Sequence, residues 1–217
     1  MIHNTLQGTE EWKAARVGYC TASRFKDLMS EARSKSDGAL SKTAESYLYE
    51  LIGEHLTGKP SGDFETYAMK WGTDHEPQAR EAYIWSRGVL VSEAGFELHE
   101  TEEWIGCSPD GFVESDGLIE VKCPLTYANH VRVIVTGQIP DEHIPQVQGQ
   151  LWITGRKWVD FVSFHPLCKT DATRLAVVRV PRDDKYIADL SQKVIRFRNR
   201  LLETLALIQS RNSLCKS

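Results

Sequence analysis

Apolar positions along the chain repeat with a period of about 3.6 residues or of two, and the changes of period divide it into elements. Thr9 is placed to cap a short helix over residues 10–16, with acids in its first turn and Gly18 ending it. Thr21 is placed to cap a second over 22–29, whose Phe25, Leu28 and Met29 form an apolar stripe. Residues 30–39 (SEARSKSDGA) are polar without a period and read as a mobile loop. From Ser41 a stronger helix begins: Tyr47, Leu48, Leu51, Ile52, His55 and Leu56 share a face, and Gly58 with Pro60 stops it. On that face His55 reads as a satisfied core histidine. A further helical region spans about 67–87, where Ala79, Ala82, Tyr83 and Trp85 point to burial. Inside it Thr73-Asp74-His75-Glu76 also fits a capping box, which would make Gly72 a break and put Pro77 in a tolerant first turn.

Strands follow at 89–91, 96–99 and 104–107, and then a hairpin over 106–123, GCSPDGFVESDGLIEVKC. Pro109-Asp110-Gly111 and Asp116-Gly117 are its turn signals. Period two places Glu120 and Lys122 on one side and Ile119, Val121 and Cys123 on the other. A three-residue loop (Ser115, Asp116, Gly117), with Gly117 left-handed, pairs Glu114 with Leu118. That register puts Val113 beside Ile119, Phe112 opposite Glu120 and Asp110 opposite Lys122. A two-residue loop would mix apolar and charged residues on one face. Next, Asp141 is placed to cap a helix over 142–154, with Ile144, Val147 and Leu151 as its stripe, Gly155 as its end, and Gln146 and Gln150 one turn apart on another face. Strands at 157–165 and 174–180 precede a long helix over 184–209, whose stripe from Ile187 to Ile208 covers the sheet or a sister subunit. The order predicts one α/β domain over residues 1–217, a central mixed β-sheet flanked by helices.

Composition narrows the class. With 217 residues, 41% of them hydrophobic and 26% charged, the chain reads as a soluble globular domain. No apolar run is long enough to span a membrane, and the opening MIHNTLQGTEEW lacks the features of a signal peptide, so a cytoplasmic location is expected. Five scattered cysteines without a CxxC pair read as reduced thiols rather than a disulfide frame, zinc site or iron–sulfur site. The net charge of −4 neither demands nor excludes nucleic acid, because basic residues act by where they lie rather than by the total. Trp71, Trp85, Trp104, Trp152 and Trp158 read as core rather than base-stacking platforms.

The hairpin supplies the candidate chemistry. Asp110, Glu120 and Lys122 converge at the strand ends, and two adjacent carboxylates repel unless a cation lies between them. Hard oxygen ligands of this kind suit Mg²⁺ or Mn²⁺. Otherwise Glu120 and Lys122 are an ordinary exposed pair on a surface hairpin. Pro109-Asp110 followed by Glu120-Val121-Lys122 resembles the PD-(D/E)xK nuclease signature. With EEWKAARVGYCTASRF, YAMKWGTDHEPQARE, CSPDGF, LIEVKCP and IPQVQGQLWITG in that order, residues 10–166 resemble the phage lambda exonuclease type of recombination nuclease.

That resemblance implies a PD-(D/E)xK nuclease core and a processive 5′→3′ exonuclease on double-stranded DNA. It would use two Mg²⁺ ions, for which Mn²⁺ can substitute, and release mononucleotides from 5′-phosphorylated ends. A 3′ single strand is left for an annealing partner protein, and the enzyme is a toroidal homotrimer in a phage-bearing or prophage-bearing cell. Asp110, Glu120 and the Val121 carbonyl match metal ligands, and Glu76 matches the helical acid for the second ion, against its reading as part of a capping box. Lys122 matches the lysine beside the attacking water, and Gln146 the glutamine near it, with Gln148 and Gln150 as rivals. Arg16, Ser23 and Ser108 match the pocket for the 5′-phosphate; by position alone Arg16 complements a helix dipole and Ser23 is a surface hydroxyl. Met69 falls where an apolar strand-separating wedge is placed, and is also a core candidate. Two other functions remain open: a structure-specific endonuclease of the same superfamily, and a non-catalytic module that binds DNA ends or a recombinase.

Overall fold

A computed structural model describes residues 2–3, 6–30, 39–62 and 66–214. Its strands are β1 (Ile2–His3), β2 (Cys20–Thr21), β3 (Val91–Ser92), β4 (Phe96–Leu98), β5 (Ile105–Cys107), β6 (Gly111–Val113), β7 (Gly117–Lys122), β8 (Trp158–Phe164) and β9 (Leu175–Pro181). They form a small sheet ordered β1-β4-β5-β2 and a central one ordered β3-β6-β7-β8-β9. The central sheet is mixed: β7 and β8 run parallel, and the other neighbours antiparallel. A parallel pair needs a long crossover. Here it passes through α5 (Tyr127–Thr136) and α6 (Ile144–Thr154); earlier helices are α1 (Glu10–Ala15), α2 (Phe25–Met29), α3 (Lys42–Thr57) and α4 (Tyr67–Arg87), and later ones α7 (Asp171–Arg174) and α8 (Asp184–Leu214).

Both faces of β7 and β8 are covered, which is why these strands are almost continuously buried. Ala79 and Tyr83 of α4 pack on Ile119, Val121, Val162 and Phe164. On the opposite face Leu118, Val159 and Phe161 meet Val133 of α5 and Val147 and Leu151 of α6. A third cluster joins α2, α3 and α8 to the small sheet through Phe25, Leu48, Phe197 and Ile105. Each such fully buried side chain contributes about 1.5–3 kcal/mol by leaving water. Under α5, buried His130 donates from Nε2 to the Thr173 carbonyl at 2.8 Å, so its Nδ1 accepts from the Ser163 hydroxyl, also at 2.8 Å.

The observed hairpin register differs from the expected one by two residues: Gly111 pairs with Ile119, Phe112 with Leu118 and Val113 with Gly117. The turn is therefore 114–116, and Glu114, at φ 50°, takes the left-handed conformation assigned above to Gly117. Gly117 serves a close approach instead: a Cβ there would lie 2.1 Å from Cη2 of the Trp158 ring. A two-residue shift preserves the faces but brings Asp110 beside Glu120 rather than Lys122.

Other expectations also change. α4 runs unbroken through Gly72, and its cap is Thr66, whose hydroxyl accepts the Met69 N–H at 3.2 Å, so the Thr73–Glu76 capping box is not used. Pro77 is tolerated inside the helix because exposed Thr73 can give its unpaired carbonyl to water. Trp85 is 81% exposed rather than buried, since two residues on from buried Tyr83 it falls on the far side of the helix, whereas Trp71, Trp104, Trp152 and Trp158 are half-buried. His55 is half-buried against Trp104, 4.4 Å between ring centres, and its Nε2 is buried without a partner, so it is not a satisfied core histidine. Leu56, at the end of its helix, is exposed. Neither Thr21 nor Asp141 caps with its side chain; each adjoins a 3₁₀ turn, Ala22–Arg24 and Asp141–His143. Helix α5 and strands β1 and β2 were not expected. Most of the loop read at 30–39 lies outside the described residues. Cys20, Cys107, Cys123 and Cys168 are free thiols, and Cys215 lies outside the described residues. No helix among the described residues is long and apolar enough to cross a membrane.

Candidate active site

Strands β2 and β5 run parallel, with Thr21 beside Gly106. Ser23 and Ser108 each lie two residues beyond that pair, so both stand past the C-terminal ends of these strands. Two residues on is Asp110. Its N–H donates to the Ile119 carbonyl at 3.1 Å, and its Oδ2 accepts the Val121 N–H at 2.6 Å. The Pro109 carbonyl accepts from Gln7 Nε2 at 2.6 Å, and the same amide donates to the Ala94 carbonyl at 3.0 Å. Gly111 must be glycine, because a Cβ would meet Val91 Cγ1 at 2.4 Å.

Glu120 lies inward of Asp110 on β7 and is only 1% exposed. A buried carboxylate needs donors on both oxygens. Oε1 accepts from Lys122 Nζ and, at 2.6 Å, from Gln146 Nε2; Oε2 accepts from Gln150 Nε2, also at 2.6 Å. Of the three glutamines on α6, Gln148 points elsewhere: it donates to the Pro181 carbonyl and accepts the Asp183 N–H. Glu76 approaches from α4, its Oε1 accepting from Arg80 at 3.0 Å. Together Glu76, Asp110, Val121, Lys122, His143 and Met69 line a cleft of about 530 Å³ at the C-terminal end of β7. Met69 is 58% exposed on its rim, not in the core.

Like charges dominate this cleft. Burial, then Glu120 and Glu76, raise the Asp110 carboxyl well above the usual range, while Lys122 and the Val121 N–H oppose the rise. Burial alone would lower the Lys122 ammonium; Glu120, Asp110 and Glu76 outweigh it, so its pKa is raised. Burial, Lys122 and Lys26 push the His143 imidazole down to about 4, leaving it neutral at pH 7.

As placed, no three His, Cys, Asp or Glu side chains among the described residues stand close enough to share one ion. The donor chemistry nonetheless fits a hard divalent cation. Asp110 and Glu76 face the cleft beside Val121, Glu120 lies directly behind, and burial with the neighbouring carboxylates disfavours the ionised form of Asp110, a penalty that a bound cation would relieve.

The residues matched to a phosphate pocket form a neighbouring group. Arg16 follows α1 as its C-cap and lies with its guanidinium 4.0 Å over the Trp12 ring. Trp12 in turn donates to Ser108 Oγ at 3.0 Å. Among the described residues Arg16 makes no salt bridge, and its Nε is buried without a partner; burial lowers its pKa against the pull of Tyr47, Glu54 and Cys107. Ser23 is exposed and shares a hydrogen bond of 3.2 Å with Thr21. Sequence reading missed Trp12, Gln7, Arg80 and His143. Gln150 was visible as a helical neighbour of Gln146 and as its rival, with no sign that both reach the same carboxylate.

Residues 11–157 match the model of the YqaJ-like viral recombinase domain. The alkaline exonuclease LHK-Exo from Laribacter hongkongensis is 38% identical over 95% of this chain and all (100%) of that one, with a TM-score of 0.86, both alone and in complex with dAMP. A phage related exonuclease from Haemophilus somnus 129PT, 20% identical over 88% of this chain and 96% of that one, shares the fold at a TM-score of 0.65. A comparison with curated proteins gives no match. The fold is thus the restriction-endonuclease-like PD-(D/E)xK core expected from the hairpin motif. The matched residues include Arg16, Ser23, Met69, Glu76, Ser108, Asp110, Glu120, Lys122 and Gln146 but stop short of Phe161 and Ser163 in the cleft wall, and the chain belongs to the YqaJ-like viral recombinase family.

Proposed function

We propose that the protein is a divalent-metal-dependent exonuclease that degrades one strand of duplex DNA from a 5′-phosphorylated end in the 5′→3′ direction. One observation carries the reading: Asp110 and Lys122 line one cleft with Glu120 bonded to Lys122 behind it, and Ser108, two residues from Asp110, is joined through Trp12 to Arg16, which makes no salt bridge among the described residues. The names of the relatives support it, since LHK-Exo is an alkaline exonuclease whose structure includes a dAMP complex.

Hydrolysis adds a water oxygen to phosphorus and breaks the bond to the 3′ oxygen, which leaves with a proton. Asp110, Glu120, Glu76 and the Val121 carbonyl would hold Mg²⁺ or Mn²⁺, two ions per site, which lower the pKa of bound water and neutralise the developing charge. Lys122 keeps a fixed positive charge beside the scissile phosphate and orients the water. Gln146, already directed at Glu120, donates a neutral hydrogen bond at the same edge. Arg16 receives the terminal phosphate through its guanidinium fork, with Ser23 and Ser108 completing the shell. Each turnover releases a 5′-mononucleotide and leaves a new 5′-phosphate for the same pocket, which favours repeated action on one strand. Met69, exposed on the rim, would part the terminal base pair. A homotrimer around the duplex, delivery of the 3′ strand to an annealing protein, a single domain and a cytoplasmic site of action complete the reading.

A linear duplex labelled at either end, incubated with Mg²⁺ or with EDTA, tests it. Release of the 5′ label first, and only with Mg²⁺, is expected. Release of the 3′ label first overturns the polarity, cleavage of closed circular DNA makes the protein an endonuclease, and tight binding without turnover makes it a non-catalytic end-binding module.

A further inference from the structure

Gln150 is an unusual residue for its position. It is 1% exposed, between the core residues Val147 and Leu151 on α6, where an apolar side chain would pack without polar cost. Its Nε2 lies 2.6 Å from Glu120 Oε2, while its own Oε1 is buried with no partner among the described residues. The amide must face this way, because its oxygen turned toward the carboxylate would repel it. Among the described residues Glu120 Oε1 receives two donors, Lys122 and Gln146, but Oε2 receives Gln150 alone.

The helix is built to deliver that amide. Gly149 lets α6 approach α2 closely, since a Cβ there would come within 2.4 Å of Phe25 Cδ2. Gln148 fixes the opposite side of α6 to the segment before α8. An arginine or lysine at 150 would pair with Glu120 more strongly, but it would add a positive charge where a cation must come. A neutral amide holds the carboxylate ionised and in one rotamer without competing for that place.

We propose that Gln150 is a positioning residue which fixes the Glu120 carboxylate and thereby sets the affinity of the cleft for its divalent cation. The inference rests on the metal-nuclease reading above and extends it to a residue that touches neither DNA nor the ion.

The test is calorimetric titration of Mn²⁺ into the DNA-free protein, together with the Mg²⁺ concentration giving half-maximal digestion of a 5′-phosphorylated duplex. Gln150→Met keeps the length and packing but has no donor. Its metal dissociation constant is expected to rise on the order of 10-fold or more, with the rate at saturating Mg²⁺ within a few-fold of wild type and KM for DNA ends unchanged. Gln150→Asn, whose amide is too short to reach, carries the same expectation and serves if the Met variant does not fold. Leu151→Val controls for a loosened helix: it should lower Tm and leave metal affinity intact. Unchanged metal affinity in the position-150 variants overturns the inference, as does an equal loss in Leu151→Val. If the wild-type protein itself binds no divalent ion, the metal-nuclease reading fails; if it binds and Gln150→Met binds as tightly, only the role of Gln150 fails.

Discussion

At the scale of single residues, the cleft stores unfavourable charge in Asp110 and unfavourable desolvation in His143. The Asp110 carboxyl is raised, so its ionised form is disfavoured in the fold; the stability it contributes at low pH is lost as pH rises through that raised value. Asp110→Asn keeps an acceptor for the Val121 N–H and removes the charge. In EDTA at pH 8 its Tm is expected to match or exceed that of wild type by calorimetry, while DNA hydrolysis falls by about 10³-fold or more. His143 has the opposite sign. Its pKa is depressed from the ordinary 6.5 to about 4, so the stability it contributes is present above 6.5 and is lost as pH falls toward 4. Chemical denaturation at pH 7 and pH 4.5 should show a smaller loss for His143→Gln than for wild type. For Arg16→Ala the readout is substrate preference: discrimination between 5′-phosphate and 5′-hydroxyl ends should collapse, with the hydroxyl substrate cut at nearly its wild-type rate.

At the scale of elements, α4 and α6 bring the chemistry to the sheet from opposite faces. α4 spans Gly72 and Pro77 without a break, because Thr66 supplies its cap and Ala79 and Tyr83 hold it to the sheet. That continuity is what carries Glu76 and Met69 to the cleft on the helix that also packs the core. α6 depends on one missing methyl group. Gly149→Ala should destabilise the protein by about 1–3 kcal/mol in urea unfolding, since neither Phe25 nor the helix can move freely in a packed core. The same variant should reduce digestion more than its stability explains, by backing Gln146 and Gln150 away from Glu120.

At the scale of the whole molecule, a divalent cation that binds only the folded cleft must stabilise the fold by mass action. Raising Mg²⁺ to about 100 times its dissociation constant adds roughly 2.7 kcal/mol, so Tm should rise with Mg²⁺ and fall on chelation, and Asp110→Asn should blunt the response. A homotrimer predicts a sedimentation mass near three times the 24.6 kDa chain at assay concentrations; a monomer at all concentrations would remove the toroid from the proposed function.

The sequence by itself determined the parts that depend on near neighbours. Thr9, Ser41 and Gly58 act on groups within a few residues, so their caps were readable, and alternation put Glu120 and Lys122 on one face whatever the register. The ordered motifs likewise marked Asp110 and Lys122 before any coordinate, and the family match agrees with the motif reading. Packing across long separations decided the rest. The hairpin register differs by two residues because Gly117 is drawn into the strand, pairing with Trp158 of β8 forty-one positions on, and so leaves the turn to 114–116. Helix α5 escaped detection because its β-branched run resembles a strand, and only His130 and Val133 of its residues are buried to mark a helical face. Trp85 was misjudged because Ala79, Ala82, Tyr83 and Trp85 do not all share one side of a helix, and the sheet takes the side of Ala79 and Tyr83. Gln150 shows the limit most plainly: its spacing from Gln146 is local and legible, but the buried carboxylate that gives the spacing meaning lies thirty residues away, and only the folded chain brings them together.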